Sequence, residues 1–299
     1  MNDPLADTSV LPEGHEFGET FFAAPQPGVS VTCGAATHTG RVRSRNEDHY
    51  AVIRRRRTLE LLQSSLDPAQ LPTTNAIAHG IVVADGMGGM KSGELASRMA
   101  LQTMLELAGQ ATSWVMKLPD PDAQQLADRV NAFAQRIHAT LRHEGDSDPA
   151  KADMGTTWTS AHLMGYDAVI AHLGDSRAYL FRDGQLRQIT RDQTMAQVLI
   201  DGGLPEETVS KLRHIVLNSF GGGIEKAEAT IHHLELQPDD RLLLCTDGLP
   251  DMVHDEDIAA ELRSHADPQS ACDALIEQAL TNGGKDNVTV VIASLSSDE

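Results

Sequence analysis

Short runs of apolar and β-branched residues recur along the chain, many of them five to eight residues long. Runs of this length bounded by turn residues are typical of β-strands. One pair of runs is separated by Asp183-Gly184, a dipeptide that favours a tight hairpin turn. The predicted strands are 51–53, 79–84, 156–163, 167–172, 177–181, 185–190, 229–236, 241–246 and 287–293.

Apolar residues spaced three and four apart predict helices in five further segments. These segments are 92–107, 121–143, 195–200, 255–264 and 268–280. Two long helices thus lie between the first strands and a central run of strands, and the chain ends with helices and one more strand. This order predicts an α+β fold in which two antiparallel sheets are flanked by helices.

Composition along the chain predicts an N-terminal arm followed by a single domain. Residues 1–30 are rich in proline, glycine and acidic residues and lack periodicity, which is typical of a mobile arm. No linker-like stretch interrupts residues 31–299, so one domain is the simpler prediction. Within it, two segments are interpreted as additions: 54–78, which contains four consecutive arginines, and the glycine-rich 191–227.

The overall charge and the apolar runs exclude several classes of protein. The formal charge is −19, from 43 acidic and 24 basic residues, which disfavours nucleic-acid binding. The apolar runs are too short to span a bilayer, and the N-terminus lacks a secretory signal, so we expect a cytoplasmic protein that does not bind membranes. Three widely spaced cysteines, Cys33, Cys245 and Cys272, fit reduced thiols in such a compartment.

Acidic residues stand at the ends of several predicted strands. They are Asp85, Asp247, Asp286 and the neighbouring pair Glu47-Asp48. Two of them begin Asp-Gly pairs, in which the glycine lets the backbone turn sharply and expose a carbonyl oxygen. Each case alone is typical of an ordinary turn. Together, carboxylates meeting at one edge of a sandwich would repel one another unless cations or protons neutralised them. Oxygen ligands without histidine or cysteine favour Mg²⁺, Mn²⁺ or Ca²⁺ over zinc.

Six motifs appear in an order that resembles the metal-dependent protein phosphatase family (protein phosphatase 2C-like), and its bacterial form most closely. The resemblance spans roughly residues 32–295. The motifs are Arg43-Ser-Arg-Asn-Glu-Asp48, Asp85-Gly-Met-Gly-Gly89, Gly155-Thr-Thr157, Gly174-Asp-Ser-Arg177, Cys245-Thr-Asp-Gly248 and Lys285-Asp-Asn287.

The resemblance implies a four-layer α-β-β-α sandwich with a site for two Mn²⁺ or Mg²⁺ ions at one end. By motif, Asp85 would bridge both ions and the carbonyl of Gly86 would bind the second. The first ion would be held by Asp247 and Asp286. The second would be held, directly or through water, by Glu47 and Asp48.

The phosphate-binding residue implied by the resemblance is Arg43, with Arg45 as an alternative whose spacing fits less well. Asn287 and Asp175 are expected to support the ligands, although a hairpin contact between Asp175 and Arg177 is an equally good interpretation.

The resemblance also implies a third ion, held by Asp153 together with Asp247. Asp153 stands one residue nearer to the Gly-Thr-Thr motif than the family pattern places its aspartate. Residues 191–227 correspond to the family's flap, whose usual His-Pro element is replaced by Lys211-Leu212.

The expected reaction is hydrolysis of phosphoserine and phosphothreonine in proteins. Two ions about 3.5–4 Å apart lower the pKa of a shared water, and the cations and arginine stabilise charge on the phosphoryl oxygens. Family members carry a histidine at the place of Met87 or, in many bacterial forms, of Met90. The proton for the leaving oxygen is therefore left to a metal-bound water or to a histidine from elsewhere.

The expected partners are phosphoprotein substrates, together with a cognate serine/threonine kinase or its targets. A non-catalytic relative that binds phosphoproteins is the main alternative, and such a relative usually lacks the core aspartates. A metal phosphodiesterase is a further alternative. A cysteine-dependent phosphatase is excluded because no arginine follows any of the cysteines six residues later.

Overall fold

Two antiparallel sheets form the centre of the molecule. The computed structural model describes residues 29–59, 62–63, 65, 74–88, 92–110 and 123–297. The first sheet has, in spatial order, β1 (Val29–His38), β12 (Val288–Ser297), β11 (Arg241–Cys245), β7 (Arg177–Arg182) and β8 (Gln185–Gln188). The second has β10 (Thr230–Glu235), β6 (Asp167–Leu173), β5 (Trp158–Met164), β3 (Thr74–Met87), β4 (Gly155–Thr156) and β9 (Phe220–Gly221), and β2 (Asp48–Leu59) also pairs with β3.

Helices cover the outer face of each sheet. Those on the second sheet are α1 (Ser92–Gln110) and α2 (Ala123–Ser147), and those on the first are α5 (Asp255–Ser264) and α6 (Pro268–Thr281). The segment between β8 and β9, which was predicted to be the flap, contains α3 (Met195–Asp201), α4 (Glu206–Val209) and the 3₁₀ turn Ser210–Leu212. A second 3₁₀ turn spans Pro149–Lys151. None of the described helices is both long and apolar enough to cross a bilayer.

The inner strands of both sheets are buried on both faces, which explains their continuous apolar runs. In β3, Ile81 and Val83 point into the layer between the sheets, whereas Val82 and Ala84 pack under α1 and α2. This alternation follows from the two-residue period of a strand. The arrangement is the predicted α+β four-layer sandwich, and the fold prediction is confirmed.

Several strands differ from the sequence predictions. β1 was not predicted, and the described residues of the supposed insertion 54–78 largely continue the β2–β3 hairpin, with Arg54 paired to His79 and Leu59 to Thr74. Consecutive arginines show no apolar alternation, so local sequence carried no sign of this pairing. Of the predicted arm, only Val29 and Ser30 are described, and they begin β1; residues 1–28 lie outside the described residues.

Candidate functional site

A cavity of about 420 Å³ opens at one end of the sandwich, where strand ends from both sheets meet. Its acidic wall residues are Glu47, Asp85, Asp175, Asp247 and Asp286. Its wall also includes Arg43, Arg45, Gly86, Met87 and Asn287. The fold therefore brings together most of the site residues expected from sequence. Asp48 lies buried behind this wall, and the exposed Asp153 is not part of the cavity wall formed by the described residues.

The backbone of Asp85 is fixed by the Gly-Thr-Thr motif. The N–H of Asp85 donates to Thr157 Oγ1 at 3.0 Å, and the N–H of Thr157 donates back to the Asp85 carbonyl at 2.9 Å. Thr156 Oγ1 donates to the same carbonyl at 2.8 Å. Thr157 itself lines the cavity. These threonines were not among the predicted site residues, although the Gly-Thr-Thr motif that contains them was the available signal.

Gly86 is needed because three backbone segments meet next to it. A Cβ on Gly86 would lie 2.2 Å from the carbonyl oxygen of Gly93 and 2.7 Å from that of Glu47. The N–H of Gly86 donates to the Glu47 carbonyl at 3.2 Å. Gly86 is not among the described glycines with positive φ. Close approach of α1 and the Glu47 segment, rather than the sharp turn expected from sequence, is therefore the reason for this glycine.

A second glycine allows a close backbone approach, here between the segments that follow β11 and precede β12. A Cβ on Gly248 would lie 1.9 Å from the carbonyl oxygen of Asn287. The absence of that Cβ lets Asp247 and Asp286, which flank these two positions, reach the same cavity. Asp286 Oδ2 accepts a hydrogen bond from Arg43 Nη2 at 2.6 Å.

Asn287 holds the segment that carries Arg43 and Glu47 against the start of β12. Its Nδ2 donates to the carbonyls of Thr39 and Arg45, each at 2.8 Å, and its Oδ1 accepts from the N–H of Glu47 at 2.8 Å. The side chain is buried. Both amide hydrogens and the amide oxygen thus orient a loop that lacks regular secondary structure.

Asp48 is a buried carboxylate whose two oxygens have different surroundings. Its Oδ2 accepts hydrogen bonds from Thr246 Oγ1 at 2.8 Å and Thr289 Oγ1 at 2.7 Å. Its Oδ1 has no hydrogen-bond partner among the described residues. Burial raises the pKa of Asp48 to about 7, and the two threonine hydroxyls oppose that shift.

Burial and repulsion between carboxylates raise the pKa values of three further aspartates, Asp85, Asp247 and Asp175. The pKa of Asp85 is well above its ordinary value, first because of burial and then because of Asp48. The pKa of Asp247 is likewise raised by burial and then by Asp175. Burial raises the pKa of Asp175 to about 7. A cluster of this kind is stable near neutral pH only when protons or cations reduce its negative charge.

Two neighbouring residues differ from the sequence expectation. Arg177 forms a forked ion pair with Asp192, with its Nε 2.9 Å from Oδ1 and its Nη2 2.7 Å from Oδ2, so Asp192 rather than Asp175 is its carboxylate partner. Asp251, which was not predicted, follows Asp247 by four residues and donates its N–H to the Asp247 carbonyl at 3.0 Å. Its charge contributes to the raised pKa of Asp247.

The oxygen ligands at the cavity fit hard divalent cations, although the described side chains are not already arranged as a metal-binding group. Among the described residues, no three histidine, cysteine, aspartate or glutamate side chains are grouped so that they could hold a metal ion, and Asp286 is instead paired with Arg43. The cavity nevertheless offers carboxylate oxygens with raised pKa values, and the unpartnered Oδ1 of Asp48 lies behind it. Oxygen ligands of this kind suit Mg²⁺ and Mn²⁺, which commonly complete their coordination with water.

Comparison with known families identifies the class of protein to which this sandwich and its carboxylate-lined cavity belong. The family described as "Protein phosphatase 2C" matches residues 67–282, well over half of the chain. The chain belongs to this family, which is a family of enzymes. The family resemblance and the enzyme class predicted from sequence are confirmed at this level.

Individual relatives agree with this assignment. The chain is 37% identical over 221 residues to a Mycobacterium tuberculosis (strain CDC 1551 / Oshkosh) protein named serine/threonine protein phosphatase PstP; the match covers 73% of the chain and 40% of that relative. The chain therefore spans less than half the length of that relative. A solved structure of the PstP catalytic domain in complex with two manganese ions is 31% identical, with a TM-score of 0.68 over 90% of this chain and 100% of that one. The serine/threonine phosphatase Stp1 from Staphylococcus aureus is 28% identical, with a TM-score of 0.73 over 90% and 96% of the two chains.

Proposed function

We propose that the protein hydrolyses phosphoserine and phosphothreonine in proteins with a water molecule activated by two divalent cations, Mn²⁺ or Mg²⁺. The observation that carries this proposal is the convergence of Asp85, Asp247 and Asp286 on one cavity, together with the burial and repulsion that raise the pKa values of Asp85 and Asp247. A net charge of −19 makes the protein unattractive to a phosphate ester unless cations bind there. The two manganese ions in the related PstP structure support the same stoichiometry.

The residues proposed to hold the ions follow the family motifs. Asp85 would serve both ions, with the Gly86 carbonyl on the second. Asp247 and Asp286 would serve the first. When bound, the two cations would lower the pKa of the attacking water and offset the charge that develops on phosphorus.

Glu47 and Asp48 are proposed to hold the second ion, directly or through water. Glu47 is kept at the cavity by Asn287 and by its carbonyl contact with Gly86. Asp48 lies behind the wall, and its Oδ1 has no hydrogen-bond partner within the described part of the chain, which suits an indirect contact. A third ion held by Asp153 and Asp247 remains a prediction, and the exposed position of Asp153 gives it less support.

Arg43 is proposed to bind the substrate phosphate. Its side chain is 55% exposed at the cavity and is paired with Asp286 at the predicted metal position. A guanidinium placed there can donate two parallel hydrogen bonds to phosphoryl oxygens. Arg45 also lines the cavity and is the alternative.

The substrates would be phosphoproteins made by a serine/threonine kinase, whose action this enzyme would oppose. The named relatives are serine/threonine phosphatases, which supports this class of substrate.

The test is phosphate release from phosphoserine and phosphothreonine peptides by protein that has been stripped with EDTA and reloaded with Mn²⁺. We expect turnover that depends on Mn²⁺ and falls by at least roughly 10² in an Asp85→Asn variant. An Asp257→Asn variant, altered at an exposed position on α5, is the matched control and should retain activity.

Other outcomes would favour the alternatives. Turnover of Mn²⁺-loaded protein no higher than that of the Asp85→Asn variant, with retained phosphopeptide binding, would indicate a non-catalytic relative. Efficient hydrolysis of bis-p-nitrophenyl phosphate with little action on phosphopeptides would indicate a phosphodiesterase.

A further inference from the structure

The flap contributes a histidine to the cavity wall. Among the described residues that line the cavity, His214 is the one histidine, and Val216 lies beside it. Both follow the 3₁₀ turn Ser210–Leu212. Met87 occupies another part of the same wall. Local sequence does not distinguish His214 among thirteen histidines, because the charged residues of the cavity wall are distant from it in sequence.

Hydrolysis of a serine or threonine phosphate requires a proton donor on the leaving-group side. The arginines on the cavity wall are unsuitable because a guanidinium does not lose its proton in proteins. The aspartates would be occupied by cations. An imidazole is the side chain whose ordinary pKa places its charge change between pH 5 and 8, which suits a general acid near neutral pH.

The backbone on the C-terminal side of His214 is tied to a neighbouring segment of the chain. The N–H of Met195 donates to the Ile215 carbonyl at 2.9 Å, and the N–H of Leu217 donates to the Gln193 carbonyl at 2.8 Å. Thr194 and Val216 form an isolated antiparallel bridge between these segments. His214 therefore adjoins a short paired segment, although its own side chain is exposed.

That paired segment is in turn hydrogen-bonded to Gly174, which lies next to a residue of the cavity wall. The N–H of Gln193 donates to the Gly174 carbonyl at 2.7 Å, and the N–H of Gly174 donates to Gln193 Oε1 at 2.9 Å. Gly174 precedes Asp175, which lines the cavity. These hydrogen bonds connect the segment that follows His214 to the residue before Asp175.

The neighbouring Arg213 also orients this part of the flap. It forms an ion pair with Glu206 at the start of α4, and its charge partly offsets the burial that raises the pKa of Asp251. The charged groups that face the cavity from other elements are Arg43, Arg45, Glu47, Asp85, Asp175, Asp247 and Asp286.

We propose that His214 is the general acid that protonates the serine or threonine oxygen as it leaves phosphorus. This inference rests on the proposed phosphatase function. As the oxygen of water forms a bond to phosphorus, the bond from phosphorus to the side-chain oxygen breaks, and its electron pair remains on that oxygen. One imidazolium N–H proton passes to this oxygen and yields the free hydroxyl. The attacking water releases one proton to solvent, and the neutral imidazole takes up one proton from solvent, which completes the cycle.

The test compares substrates whose leaving groups need a proton to different degrees. Wild type, His214→Gln and the control His143→Gln, at an exposed histidine on α2, are each assayed with Mn²⁺. One substrate is a phosphoserine peptide, and the other is p-nitrophenyl phosphate, whose phenolate leaves readily without protonation. We expect His214→Gln to lower kcat for the peptide by roughly 10² or more and to change kcat for p-nitrophenyl phosphate little.

Two further measurements distinguish proton donation from a structural role. The alkaline fall of kcat with pH that is measured for the peptide should be lost in His214→Gln, and added imidazole should restore peptide turnover to a His214→Ala variant. Equal losses on both substrates, or no loss on either, would overturn the assignment; the second result would leave a metal-bound water as the donor. Absence of Mn²⁺-dependent turnover in wild type would instead contradict the proposed function.

Discussion

Two arginines reach the same cavity, but their environments differ. Arg43 Nη2 lies 2.6 Å from Asp286 Oδ2, so its guanidinium is held beside a carboxylate proposed to bind a cation. Arg45 is attached to the site through its backbone carbonyl, which accepts from Asn287 Nδ2. The two arginines therefore differ in what holds them at the cavity.

Replacing the two arginines in turn tests which one binds phosphate. Arg43→Ala should lower kcat/KM for a phosphopeptide by roughly 10², because it removes charge-assisted hydrogen bonds to the phosphoryl group. Arg45→Ala should lower it less than tenfold, since the backbone contact with Asn287 is retained. Steady-state kinetics on both variants checks this order, and a reversed order would assign the phosphate to Arg45.

Elements in this molecule approach one another through glycines at strand ends. Gly248 lies so close to the start of β12 that an added Cβ would be 1.9 Å from the Asn287 carbonyl oxygen. Gly109 near the end of α1 has nothing within 4 Å of a corresponding Cβ. Alanine at these two positions therefore compares a crowded glycine with an uncrowded one.

Gly248→Ala should force the ends of β11 and β12 apart. We expect a loss of about 2 kcal/mol or more in the free energy of unfolding and weaker Mn²⁺ binding, because backbone atoms must move. Gly109→Ala should be neutral or stabilise the protein by up to about 1 kcal/mol, since alanine favours an exposed helix. Chemical denaturation and a Mn²⁺ titration measure both effects, and equal stability of the two variants would contradict the steric argument.

Asn287 connects an irregular loop to a strand and should be sensitive to replacement. Asn287→Ala leaves the N–H of Glu47 and the carbonyls of Thr39 and Arg45 without this partner, which should cost about 1–3 kcal/mol in the free energy of unfolding. Mn²⁺ affinity should also fall, because Glu47 loses its anchor. Asn287→Asp keeps the acceptor for Glu47 and should disturb that residue less. Denaturation curves and metal titrations that match wild type would contradict this role.

At the scale of the whole molecule, the acidic cluster links stability to pH and to cations. Asp48 and Asp175 have folded-state pKa values raised from 3.8 to about 7. Their contribution to stability is therefore complete below the unfolded-state pKa and is lost as the pH rises toward and through about 7. Cations that bind the ionised carboxylates should reverse this loss.

Thermal unfolding at about pH 5.5 and about pH 8, in EDTA and in Mn²⁺, tests this linkage. In EDTA, the Tm should be several degrees lower at the higher pH, and Mn²⁺ should remove much of the difference. Asp175→Asn should reduce the pH dependence while retaining stabilisation by Mn²⁺, whereas the surface control Asp257→Asn should behave like wild type. A metal-free protein that becomes more stable as the pH rises through this range would contradict the argument.

Sequence alone determined the fold class and the presence of acidic residues near strand ends. Continuous apolar runs such as 79–84 indicated strands buried on both faces. Asp247 and Asp286 lie just beyond β11 and β12 as predicted, whereas Asp85 lies inside β3, which continues to Met87. These features are local, because a strand and its terminating residue are read from a few neighbouring side chains. The motif order then supplied the family.

Only the tertiary structure decided which distant groups meet. The N–H of Glu47 contacts Asn287 across 240 positions of sequence, His214 reaches the cavity from the flap, and the arginines of β2 pair with β3 despite lacking a strand pattern. Gly86 and Gly248 owe their glycine identity to backbone segments that approach from elsewhere in the chain. Such contacts arise from the packing of two sheets against each other, and local hydrophobic periodicity does not predict them.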